Sequence, residues 1–149
     1  MEGEELVDPV GLLDRMIEAA TRAGGTVLRG NVTGEGQVRL RPMAVSRALE
    51  NLISNGLKFG TKVQVGLTMT DRLLRFTVED DGPGIPKDLR EEALRPFVRL
   101  SEARDPNRGG GVGLGLSIAA DIARNHGGAL RLSESTTHGG LKAELDIAR

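Results

Sequence analysis

The 149-residue chain has no cysteine, no tryptophan and no tyrosine, and only three phenylalanines. Without thiols there are no disulfides, zinc knuckles or cysteine nucleophiles, a composition that fits a reducing compartment. So few aromatics argue against a base-stacking platform. An excess of either charge is also missing. Twenty basic residues face 21 acidic ones, for a net charge of -1, which lacks the basic footprint of a nucleic-acid binder. No apolar run approaches the roughly 18 to 20 residues of a membrane span, and no stretch reads as a secretory leader. The length is that of one domain able to bury its own core. What is abundant is glycine: 21 residues, about twice ordinary usage, and clustered.

Residues 1–7 are acidic and are expected to be a flexible remnant of a linker, with the domain proper at 8–149. Asp8-Pro9 reads as an N-cap and first helical residue. Leu12, Leu13, Met16, Ile17 and Ala20 follow at helical spacing up to Gly24-Gly25. Short strands are predicted near 26–29 and 37–40, a second helix over 42–58, and strands over 63–69 and 73–79. A short helix is predicted over 87–94, a third long helix over 113–125, and closing strands over 129–133 and 141–147. Strands joined by hairpins and mixed with helices predict an α+β two-layer sandwich, one mixed sheet with helices on one face.

Three segments carry chemistry. On the second helix Asn51, Asn55 and Lys58 are spaced i, i+4, i+7 and share a stripe, flanked by Arg47 and Ser54. A polar surface face would look similar, yet Asn costs roughly half a kcal/mol against Ala inside a helix. Amide oxygens are hard, neutral ligands suited to Mg²⁺, which shares phosphate oxygens and waters, and Lys58 would be a point charge for those phosphates. Next, a strand delivers Asp81 into the turn Gly82-Pro83-Gly84. Two readings stay open: a plain acidic turn, or a carboxylate accepting from an exocyclic amine beside glycines that let a flat ring approach. Third, Gly109 to Ser117 is a glycine-rich loop opening a helix, where free N–H groups can face phosphate. It has neither Rossmann nor P-loop spacing.

Together and in this order the segments resemble the ATP-binding catalytic domain of sensor histidine kinases, a Bergerat-fold GHKL module, in its osmosensor-kinase-like branch. The N box is Asn51 to Phe59, the first glycine box Asp81 to Ile85, the F box Pro96 to Arg99, and the second glycine box Gly111 to Leu116. The resemblance implies ATP and Mg²⁺ as cofactors. By it, Asn55 coordinates Mg²⁺ with Asn51 beside it, Lys58 meets the phosphates, and Phe59 lies against the nucleotide. Asp81 reads the adenine amine above Gly82 and Gly84. Ile85 and Leu116 wall the adenine pocket. Gly111, Gly113, Leu114 and Gly115 line the phosphates, Arg99 contacts the γ-phosphate, and Phe97 anchors a mobile ATP lid at about residues 95–112.

Hydrolysing members of the wider superfamily carry Glu at the place of Asn51. An amide cannot take a proton near neutral pH, so this site is built to hold ATP for transfer. The resemblance implies a phosphoacceptor histidine on a separate helical hairpin of the same kinase and, through the full-length protein, a response regulator. His126 and His138 lack phosphoacceptor context; a partly charged ring at His126 would suit a helix C-terminus. The isolated domain is expected to be monomeric and cytoplasmic, within a membrane-anchored bacterial sensor, with no nucleic-acid partner and no direct membrane contact of its own. The competing readings are an anti-sigma-factor-type GHKL serine kinase and a nucleotide-responsive binding module.

Overall fold

In the computed structural model, residues 2–95 and 115–149 are described. Seven strands appear: β1 Glu5–Val7, β2 Val27–Thr33, β3 Val38–Leu40, β4 Val63–Met69, β5 Leu73–Asp80, β6 Leu130–Glu134 and β7 Leu141–Ala148. The helices are α1 Pro9–Arg22, α2 Pro42–Phe59, the single turn α3 Arg90–Ala93 and α4 Gly115–Asn125, with a 3₁₀ turn at Lys87–Leu89 before α3. The predicted F box and lid, with Phe97, Arg99, Gly111, Gly113 and Leu114, lie outside the described residues.

β2, β4, β5, β7 and β6 form one mixed sheet in that order. β2 runs parallel to β4, and the remaining pairs are antiparallel. Side chains alternate across it, as period 2 requires. Val63, Val65 and Leu67 of β4 and Leu74, Phe76 and Val78 of β5 are buried under the helices. The other face carries polar residues such as Arg75, held by two bonds of 2.7 and 3.0 Å to Asp146 on β7. α1, α2 and α4 cover the inner face, with α2 between the other two. The predicted sandwich is the fold observed.

Two local expectations change. Residues 1–7 were expected to be loose, yet β1 pairs antiparallel with β3. The Glu2 carboxylate also accepts the amides of Met43 and Ala44, at 2.7 and 3.0 Å. These are orphan donors of the first turn of α2, whose own N-cap, Arg41, makes no side-chain cap bond; an anion is favourable there. β2 extends four residues beyond its predicted end, because its partner is the distant β4 rather than its neighbour β3.

His126 also differs from expectation. Its Nδ1 donates to the Ile122 carbonyl at 2.7 Å, and its Nε2 accepts the Arg41 amide at 3.1 Å. An N–H can only donate, so Nε2 carries no proton. The ring is a neutral strut tying the end of α4 to the start of α2, not a partly charged cap.

Candidate nucleotide site

The polar stripe of α2 forms as its spacing predicts. Leu49, Leu52 and Ile53 are buried in the core, while Asn51, Asn55 and Lys58 are half-buried on another face. Neither asparagine amide has a hydrogen-bond partner among the described residues. Their amide oxygens are hard, neutral donors of the kind a cation sharing its shell with phosphate can use. No group of three or more acidic or histidine side chains that could hold a metal occurs among the described residues. The Lys58 ammonium stands 5.6 Å from the centre of the Phe59 ring, a cation–π distance. The flanking Arg47 and Ser54 turn away and line the groove between α2 and α1. Glu50, the nearest carboxylate in sequence to Asn51, lines that groove too, so it does not stand in for a water-activating base.

The first glycine box is where sequence and structure part. Asp81 was expected to read the base. Its carboxylate instead accepts the amides of Thr61 and Lys62, at 2.7 and 3.0 Å, and the Thr61 hydroxyl. The hydroxyl first, and then the amides, hold the Asp81 carboxyl down at about 2. That side chain is committed to fastening the loop after α2.

The preceding residue, Asp80, is 3% exposed at the end of β5. Its Oδ1 accepts the amides of Gly82 and Leu141, at 2.9 and 3.0 Å. Glycines crowd it from three sides. A Cβ on Gly140 would stand 2.3 Å from Asp80 Oδ1, and one on Gly82 would stand 2.8 Å from the Phe59 carbonyl. A Cβ on Gly56 would reach 3.3 Å from Asp80 Cβ. So Gly82 is needed for chain to pass chain, not only for a ring to approach. Gly84 supplies a positive φ of 71°, which L residues rarely adopt. Gly56 follows Asn55 directly, so the buried carboxylate and the amide stripe are neighbours.

Asp80 is the residue that sequence reasoning missed. Its signal was the alternation Leu74, Phe76, Val78, Asp80, all buried, which a strand ended at residue 79 conceals.

Ile85 and Leu116 are buried, at 3% and 8% exposure. Gly115 opens α4 against Asn51, 3.9 Å from the Asn51 Cβ to where its own Cβ would be. The described end of the second glycine box therefore abuts the stripe. His138, on the β6–β7 loop, meets Gln64 Oε1 through Nε2 at 2.9 Å, on the polar face of the sheet.

Comparison with known proteins agrees with this geometry. Residues 40–148 match the family described as histidine kinase-, DNA gyrase B-, and HSP90-like ATPase, and the chain belongs to that family. Within it, the fold and relatives are those of the ATP-binding catalytic domain of sensor histidine kinases. The sensor histidine kinase CpxA of Escherichia coli K12 is 41% identical over 102 residues, 68% of this chain and 22% of CpxA. The mycobacterial sensor histidine kinase MprB domain superposes with a TM-score of 0.80 at 26% identity, over 97% of both chains. The histidine kinase domain of the E. coli osmosensor EnvZ gives 0.71 at 31% identity, over 97% of this chain and 88% of that one. The chain thus spans about a fifth of the length of the curated relatives it matches. No helix among the described residues is long and apolar enough to cross a membrane.

Proposed function

We propose that this domain binds ATP with Mg²⁺ and donates the γ-phosphoryl group to a histidine on a separate helical hairpin, as the cytoplasmic domain of a membrane-anchored bacterial sensor kinase that serves a response regulator. The observation that carries the reading is the pair of half-buried amides of Asn51 and Asn55, without a hydrogen-bond partner among the described residues, beside the buried Asp80 carboxylate. Asp80, rather than Asp81, accepts from the adenine amine. Asn55, with Asn51 beside it, holds Mg²⁺, which when bound neutralises phosphate charge. Lys58 meets the phosphates and Phe59 lies along the nucleotide. Gly82 and Gly84 shape the turn under the base, and Ile85 and Leu116 back its pocket. Gly115 presents the start of α4 to the phosphates. Arg99, Phe97, Gly111, Gly113 and Leu114 keep their proposed roles at the γ-phosphate and lid on sequence grounds.

Asn51 cannot abstract a proton, so water is a poor nucleophile here. Phosphoryl transfer rests on positioning and charge neutralisation, and the site holds ATP until an imidazole is brought in line. With γ-labelled ATP, the domain alone should acquire no stable label and turn over slowly, while a supplied cognate hairpin becomes labelled on histidine. In calorimetry, Asn55→Ala should lose Mg²⁺-dependent nucleotide binding while its circular dichroism stays unchanged. Label on the domain itself, or unchanged Mg-ATP affinity in Asn55→Ala, would overturn the assignment.

A further inference from the structure

α2 has a second working face. Glu50, Ser54 and Leu57 each stand one residue before a member of the nucleotide stripe, and they line a groove against α1. The groove is two connected hollows of about 680 and 290 Å³ sharing Met16, Ala19 and Glu50. It runs from Met43 to Leu57, fourteen residue steps of helix, or about 21 Å at 1.5 Å per step. Small residues, Ala19, Ala20, Ala23 and Gly25, line its far end and leave room for another backbone to come close. At its mouth Met43 is 76% exposed, the most exposed large apolar side chain among the described residues.

The charges on the groove have a register. Arg15 on α1 and Arg47 on α2 line the mouth, and neither has an ion pair among the described residues. Arg22 is already held by Glu18 at 2.6 Å. Glu50 stands one helical turn beyond Arg47, at the junction of the hollows, and it too has no ion pair among the described residues. Cations at the mouth and a carboxylate one turn further in define what fits: an apolar ridge with an acid and a base one turn apart, the acid towards the mouth. Helical side chains three or four apart share a face, so a helix meets this register with consecutive turns. An extended chain places same-face side chains about 6.6 to 6.8 Å apart, wider than the roughly 4.5 Å rise between Arg47 and Glu50.

We propose that the α1–α2 groove docks an amphipathic α-helix of a partner protein. Its apolar stripe lies over Met16 and Met43, with a carboxylate opposite Arg15 and Arg47 and a cation opposite Glu50. Methionines suit such a surface because they repack around different shapes, and helix-in-groove recognition reads i, i+4, i+7 anchors in this way. The groove and the nucleotide stripe share a helix but not a surface, so this proposal stands or falls separately from the ATP reading.

The test uses a displayed library of sixteen-residue helical peptides, with leucines fixed at i, i+4, i+7 and i+11 and the flanking positions randomised. Selection on the wild-type domain should enrich an acid and a base three or four residues apart, in one fixed order. Anisotropy measured with a selected peptide should show at least tenfold weaker binding to the exposed-site double variant Arg47→Glu/Glu50→Lys. The same peptide with its acid and base exchanged should recover that loss on the variant and bind wild type poorly. Met43→Ser should weaken both pairings. No enrichment, equal binding of both peptides to both proteins, or indifference to Met43→Ser would overturn the proposal. Self-association of the domain that Ala19→Glu abolishes would assign the groove to a second copy and overturn it as well.

Discussion

Asp80 and Asp81 are adjacent, yet their carboxylates serve different parts of the fold. Asp80 Oδ1 takes the amides of Gly82 and Leu141, while Asp81 takes those of Thr61 and Lys62. Strand alternation enforces the split, since successive side chains leave opposite faces.

The two aspartates should therefore differ in nucleotide selection. In Asp80→Asn the amide oxygen can still accept from Gly82 and Leu141, but an NH₂ replaces the second carboxylate oxygen and opposes the adenine amine. A mismatched buried polar group costs about 1 to 3 kcal/mol, so ATP affinity should fall roughly five- to 150-fold. Asp81→Asn should stay close to wild type. Calorimetric titration of both variants with ATP and GTP checks this; equal losses in the two variants would refute the assignment.

Acid should weaken the fastening of the loop after α2 as Asp81 is protonated. The Asp81 carboxyl is lowered from an ordinary 3.8 to about 2, chiefly by the Thr61 hydroxyl. A group depressed on folding contributes stability above its unfolded pKa and loses it as pH falls through the folded one. The window is therefore from about pH 4 down to about pH 2. Thr61→Val should raise the Asp81 pKa and flatten that part of the stability profile. Carboxyl-detected NMR titration, with urea melts at pH 2, 3, 4 and 7, provides the measurement.

Glu2 should stabilise α2 from outside the helix. Removing a side-chain cap costs about 0.5 to 2 kcal/mol, so Glu2→Ala should lower the urea midpoint by that equivalent with an unchanged slope. Glu2→Gln, which keeps an acceptor but loses the charge, should retain part of the difference. A full-strength midpoint in Glu2→Ala would show that the two amide contacts contribute nothing.

Gly140→Ala should damage the site through the backbone. The added carbon would sit 2.3 Å from Asp80 Oδ1, 2.5 Å from its carbonyl and 2.6 Å from the Gly82 amide. Strand and turn must separate, at a cost of about 1 to 3 kcal/mol or more. Differential scanning calorimetry should show a Tm lower by several degrees, and ATP affinity should fall with it.

Long periodic stretches were legible in the sequence. α1, α2, β4 and β7 lie where their patterns put them, because each buries one regular face. What was hidden depends on distant partners. β1 is three residues long and exists through β3, and the length of β2 is set by β4. Asp80 was legible in principle, as the next member of the Leu74, Phe76, Val78 series. A strand over 73–79 stops one residue short of it. The N-box stripe was readable because two asparagines on one face of a helix run against helix propensity.

The glycines around Asp80 restrict how this protein can change over generations. At Gly56, Gly82 and Gly140 the space for a side chain is already filled by Val63, by the Phe59 carbonyl or by Asp80 itself. Each single substitution there meets a steric obstacle before it can offer a different preference for a base. A lineage drifting toward another nucleotide would have to alter strand spacing and turn together, so adenine preference should persist even in descendants whose outer surfaces have diverged to suit new partners.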